Sequence, residues 1–204
     1  MTHYICASDD LINADQEGND LDLWYFLAPS QFTGWQLMAY GGTLEFTMSS
    51  FSGIFSPSNL NFGRDLNLVE IYCATCDLRR GVTIGFPLSA TKAFTEVIQT
   101  FSVPMHESAG WLKDPKNTLL PWTSVSQCEF LEVISNISSL KILGDFTKWY
   151  ETMCIDDVQF RSTTPVHNGV QISGSVLVYP SRENKLASHP FYLVCSLRDE
   201  HLWM

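Results

Sequence analysis

An all-β sandwich of the jelly-roll type, carrying one short helix, is the fold these residues predict, on three observations. Aromatic residues make up 13% of the chain, with thirteen Phe and six Trp, and large rings favour strands and fill sandwich cores. Short segments place apolar residues at every second position, the period of a half-buried strand. Turn signals separate those segments: Gly41-Gly42, Ser56-Pro57, Asn61-Phe62-Gly63 and Asp114-Pro115. Many short strands punctuated this way build a sandwich, not alternating βαβ units.

Taken along the chain, the clearest alternation is Leu44-Glu45-Phe46-Thr47-Met48. The segments Leu68–Cys73 and Val82–Phe86 read the same way, and Phe94–Phe101 is rich in strand formers, with Glu96 turned to solvent. The one helical pattern starts at Ser126. Ser-x-x-Glu spacing lets the Ser126 oxygen accept from the Glu129 amide while Glu129 reaches back, a capping box. Phe130, Val133 and Ile134 follow at helical spacing, so a helix of about two turns leads into a strand at Leu140–Leu143. A further strand covers Ile155–Phe160. Beyond it, Arg161–Gly169 is polar and turn-rich, and Val170–Tyr179 alternates weakly enough to form a hairpin. The expected division is therefore a sandwich over residues 1–160 and a linker and tail over 161–204.

The bulk numbers exclude several functions. At 204 residues with 45% apolar content, the chain holds one well-buried domain and a short appendage. Twelve basic residues among twenty-two acidic ones give a net charge of −10, which disfavours nucleic acid and anionic membrane surfaces. The longest uncharged run, Leu23–Leu44, contains Pro29, Gln31, Gln36 and three glycines, which is loop and strand chemistry and not a membrane helix. No secretory leader is legible after Met1, so the chain reads as a fragment or as one lacking its true beginning.

Constellations with chemical meaning are few. Cys6, Cys73, Cys76, Cys128, Cys154 and Cys195 are enough for three disulfides, as in an oxidising compartment, but too sparse to replace a core. Cys73-x-x-Cys76 ends a strand instead of opening a helix, so a redox motif lacks its setting. Structural disulfides or buried thiols come first for it and a local bridge second, while the metal reading loses because Cys128 and Cys154 offer no second close pair. The histidines His3, His106, His167, His189 and His201 are isolated, and no Gly-x-Ser-x-Gly elbow or phosphate loop occurs. The chain is therefore expected not to be an enzyme.

Asp156-Asp157 lies inside an apolar strand, where alternation turns one carboxylate toward the core. A structural Ca²⁺ would satisfy it, with Asp9 contributing if the terminal strands are neighbours. The other reading is an edge-strand pair facing water and backbone amides. Asn136-Ile137-Ser138 is an N-glycosylation sequon at the expected helix end.

Five blocks in order resemble the laminin IV (laminin B) domain family. Tyr4–Asp9 is similar to its early Tyr-Ile-x-Ala-x-Asp strand. Trp24–Gly34 with Ala39–Phe46 is similar to its Ala-Pro, Phe-x-Gly and Tyr-Gly-Gly-x-Leu sequence. Glu107–Trp111, Glu129–Ile142 and Ile155–Phe160 resemble its Glu-to-Trp block, its helix and strand, and its closing strand. The resemblance implies a jelly-roll sandwich like those of carbohydrate-binding modules. It also implies a secreted, non-catalytic role in extracellular matrix or cell adhesion, with matrix or cell-surface proteins as partners. A structural Ca²⁺ between the first and last strands would then rest on Asp9 and Asp157. The alternative function is a glycan-binding module, marked by a Trp exposed on a concave face beside Asn and Asp hydrogen-bonders.

Overall fold

The computed structural model describes residues 4–8, 23–56, 66–92, 94, 98–148 and 150–162. Their strands are β1 (Ile5–Ser8), β2 (Tyr25–Leu27), β3 (Thr43–Ser52), β4 (Asn67–Cys73) and β5 (Val82–Pro87). The later ones are β6 (Gln99–Pro104), β7 (Leu112–Lys113), β8 (Thr123–Ser124), β9 (Ser139–Leu143) and β10 (Thr152–Arg161). They pair antiparallel in a four-stranded sheet, β1-β10-β3-β6, and a six-stranded sheet, β2-β9-β4-β5-β7-β8. The expected sandwich is what forms.

Alternation sets which residues enter the core. On β3, Leu44, Phe46 and Met48 are buried while Glu45 and Thr47 between them face outward, and Glu45 accepts from Arg161 Nε at 2.8 Å. The inner faces meet over an aromatic cluster: Phe101 stacks on Phe46 and lies against Phe94 and Phe146. At the other end Trp111 packs edge-on to Phe130 and against Phe86. Each such pair contributes about 0.5–1.5 kcal/mol beyond its burial.

The helix α1 (Gln127–Ser135) begins in the expected capping box. Ser126 Oγ accepts from Glu129 N, and Glu129 Oε2 accepts from Ser126 N at 3.0 Å. Phe130, Val133 and Ile134 are its buried residues, and it packs against β4 and β5.

Two expectations are corrected by the backbone. The strand expected over Phe94–Phe101 begins instead at Gln99 and runs to Pro104. Phe94 precedes it as a buried core ring, and residues 95–97 lie outside the described set. The simple alternation expected at Asp156-Asp157 is interrupted by a β-bulge between Asp156 and Gln159. There Asp157 adopts φ 53° and is exposed, while Asp156 Oδ1 accepts from the Asp157 amide at 2.8 Å. Neither carboxylate is carried into the core, because the extra residue breaks the two-residue period. β10 is not an edge strand either, since β1 and β3 flank it. It reaches Arg161, one residue past the expected boundary at 160; the tail from 163 and its hairpin over Val170–Tyr179 lie outside the described residues.

Candidate functional site

The residue blocks singled out in the sequence converge at one end of the sandwich. Tyr40 donates its hydroxyl proton to Glu107 Oε2 at 2.9 Å and accepts from Gln127 Nε2 at 2.7 Å. Gly41 and Gly42 then exchange backbone hydrogen bonds with Met105. Gly41 needs its freedom at φ 75°, and a Cβ on Gly42 would lie 1.8 Å from the Arg161 carbonyl oxygen. Trp111 donates Nε1–H to the Pro104 carbonyl at 2.8 Å and is fully buried. These residues build the fold, and they leave little exposed chemistry there.

The exposed chemistry lies on the outer face of the six-stranded sheet. Antiparallel register puts Ser139, Tyr72 and Thr83 in one row across β9, β4 and β5. The Asp114 amide donates to the Thr83 carbonyl at 3.0 Å, which extends that row, and Trp122 lies beyond it next to β8. In the adjacent row Lys141 faces Glu70, with Nζ and Oε2 3.9 Å apart, and Asn67 Nδ2 holds Glu70 Oε1 at 3.2 Å. Together these side chains, without Asn67, line a groove of about 200 Å³. Trp122 is half-buried in it and Tyr72 is 39% exposed. The Tyr72, Thr83 and Ser139 hydroxyls and the Trp122 indole N–H make no hydrogen bond among the described residues.

A wider hollow of about 630 Å³ opens beside β6, lined by Phe86, Phe101, Thr91, Gln99, Thr100 and His106 among others. Several of its polar groups are already engaged: Gln99 Nε2 donates to the Lys92 carbonyl, and the Thr100 and Thr47 hydroxyls meet at 3.1 Å.

The residues expected to form sites are dispersed. Asp9 lies outside the described residues, as does Cys195. Ser8, next to Asp9, pairs with Thr152, five residues before Asp157, a run of about 16 Å at the rise of a strand. Among the described residues, no three His, Cys, Asp or Glu side chains cluster to hold a metal ion. Asn136 is exposed at the C-terminal cap of α1, donating Nδ2–H to Ser135 Oγ. Cys6 bridges to Cys154 across β1 and β10, and Cys73 bridges locally to Cys76. Cys128 is disulfide-bonded as well.

The local bridge closes a turn, Cys76–Arg79, in which Asp77 and Leu78 are left-handed at φ 50° and 55°. Each such residue costs roughly 1–2 kcal/mol without compensation. The bridge, the Asp77 amide bonded to Glu132 Oε1 and the Lys116 ammonium bonded to the Arg80 carbonyl hold it in place. Sequence reasoning missed this turn. It also missed the groove, whose residues come from five separate segments and meet only through register.

Against known proteins, the family model of laminin B (domain IV) matches residues 25–176. The solved L4b domain of human laminin alpha-2 is similar to this chain with 20% sequence identity, covering 78% of this chain and 80% of that one, at a TM-score of 0.62. That likeness is one of fold. No curated protein matches the chain.

Proposed function

The chain belongs to the laminin B (domain IV) family, and from that premise we propose that it acts as a non-catalytic structural or adhesive module of the extracellular matrix or cell surface. The family match over residues 25–176 carries this reading. Two bridges, Cys6–Cys154 and Cys73–Cys76, support an oxidising compartment. No helix among the described residues is long and apolar enough to cross a membrane.

The test is expression through the secretory route of eukaryotic cells, followed by application of the purified protein to decellularised matrix. The expected result is secreted protein without maleimide-reactive thiols, a glycan at Asn136 that Asn136→Gln removes, and saturable retention on matrix. Free thiols in the native protein, or retention no greater than that of albumin, would overturn the reading. A turnover abolished by exchanging one carboxylate pair would overturn its non-catalytic part.

Calcium held at Asp157 or at Asp9, which strand register keeps from sharing one ion, is a proposal with its own measurement, the unfolding midpoint in Ca²⁺ and in EDTA. A midpoint raised by Ca²⁺ and insensitive to it in Asp157→Asn supports the site. Equal midpoints in both buffers reject it.

A further inference from the structure

We infer that the groove on the outer face of the six-stranded sheet binds a neutral pyranose residue of a glycan. A pyranose ring has an apolar C–H face, which packs on an aromatic ring, and a rim of hydroxyls that both donate and accept. The groove offers the complement of both. Trp122 and Tyr72 supply two aromatic surfaces, neither fully buried in the core. Between them lies the Thr83 hydroxyl, and the Ser139 hydroxyl lies on the far side of Tyr72; neither has a partner among the described residues. Glu70 and Asp114 add acceptors, and Lys141 adds a donor.

Size and charge narrow the ligand. At about 200 Å³ the groove is smaller than the roughly 300 Å³ at which drug-sized pockets begin. It therefore seats one ring, with the rest of an oligosaccharide running out along the sheet. Two carboxylates face one ammonium, so the groove carries a formal charge of −1 and opposes sulfate, sialate and uronate groups. The wider hollow beside β6 lacks an indole ring, and its Gln99 and Thr100 side chains already hold partners. The sheet also gives the groove a rigid floor, because the register of β4, β5 and β9 fixes Tyr72, Thr83 and Ser139 in one row.

This inference goes beyond the matrix role. Matrix retention and sugar binding are separate readouts on the same protein, so either fails without the other.

The experiment is an array of neutral, sialylated and sulfated oligosaccharides probed with the oxidised full chain and its Trp122→Ala, Thr83→Val and Trp35→Ala variants. Thr83→Val keeps a β-branched strand residue and removes only the hydroxyl. Trp35 is 60% exposed and lies outside the groove, so its variant controls for general loss of surface indole. Neutral glycans are expected to bind, with about tenfold loss in Trp122→Ala, a smaller loss in Thr83→Val and none in Trp35→Ala. Free neutral monosaccharide is expected to compete, which separates recognition of the sugar from recognition of the carrier. If Trp122→Ala fails to fold by circular dichroism, Thr83→Val carries the test. No neutral glycan bound, binding unchanged in both groove variants, or binding confined to sulfated glycans overturns the inference.

Discussion

At the scale of single residues, steric contacts decide more than residue type. Gly41 and Gly42 look interchangeable in sequence, yet they do different things. Gly41 is left-handed, and replacing it with Ala costs about 1 kcal/mol of backbone strain. Gly42 abuts the backbone carbonyl of Arg161, which no rotamer change can move aside. Gly42→Ala should therefore destabilise by about 2–3 kcal/mol or more, as overpacking against an unyielding wall does. Chemical denaturation of the two variants checks the order, and a Gly42→Ala cost below that of Gly41→Ala would contradict the contact. Glu129 shows a second effect. Burial pushes its carboxyl up, but the Lys113 ammonium and the Ser126 amide and hydroxyl together outweigh that, so its pKa ends below the ordinary value. A lowered folded-state pKa stabilises above the unfolded-state value, and that stabilisation is lost as pH falls through the folded-state value. Glu129→Gln should accordingly cost about 0.5–1 kcal/mol at neutral pH, discounted for its partial exposure. The cost should shrink as pH falls below about 4. A cost independent of pH would mean that the carboxylate charge contributes nothing.

At the scale of elements, β1 is an edge strand of four residues paired only with β10. The Cys6–Cys154 bridge joins it there across a sequence separation of 148. Closing so long a loop restricts the unfolded chain strongly, so the double variant Cys6→Ala/Cys154→Ala should lose about 2–5 kcal/mol. That corresponds to a midpoint lowered by roughly 5–15 °C. Hydrogen exchange should show β1 opening before β3, and unchanged β1 protection would assign its stability to pairing alone. Elements were legible in the sequence where the cause is local. The alternation at Leu44, Phe46 and Met48 and the Ser126–Glu129 capping box were both readable, because neighbours at fixed spacing create them. Elements set by distant partners were not. The two-residue strands β7 and β8 exist because β5 offers an edge, and they are too short to show a period. The bulge at Asp157 and the left-handed run Asp77, Leu78 and Arg79 after Cys76 are departures of one to three residues, the latter tied down by the distant Glu132.

At the scale of the molecule, the candidate groove was the least legible feature. Sequence reasoning could say that a glycan binder needs a Trp beside polar groups, but not which of six Trp would qualify. Trp24 and Trp111 are buried, and only the pairing of whole strands places Trp122 near Tyr72 and Thr83. The same long-range pairing makes the core continuous. Phe101 on β6 and Phe130 on α1 lie toward opposite ends of one hydrophobic cluster, linked through Phe86, Trp111 and the inner residues of both sheets. A continuous core predicts one cooperative transition. Phe101→Leu and Phe130→Leu should each lower stability by about 1–3 kcal/mol, and the midpoint with it. Far-ultraviolet circular dichroism and tryptophan fluorescence should report the same midpoint in each variant. If α1 packed as a separate unit, Phe130→Leu would instead split the two signals, with helix lost before the indoles lose their native environment. Coincident curves in both variants would show that the sheet carrying the groove and the helix at its end unfold together. The groove's floor would then be as stable as the molecule itself, which is what a preformed sugar site requires.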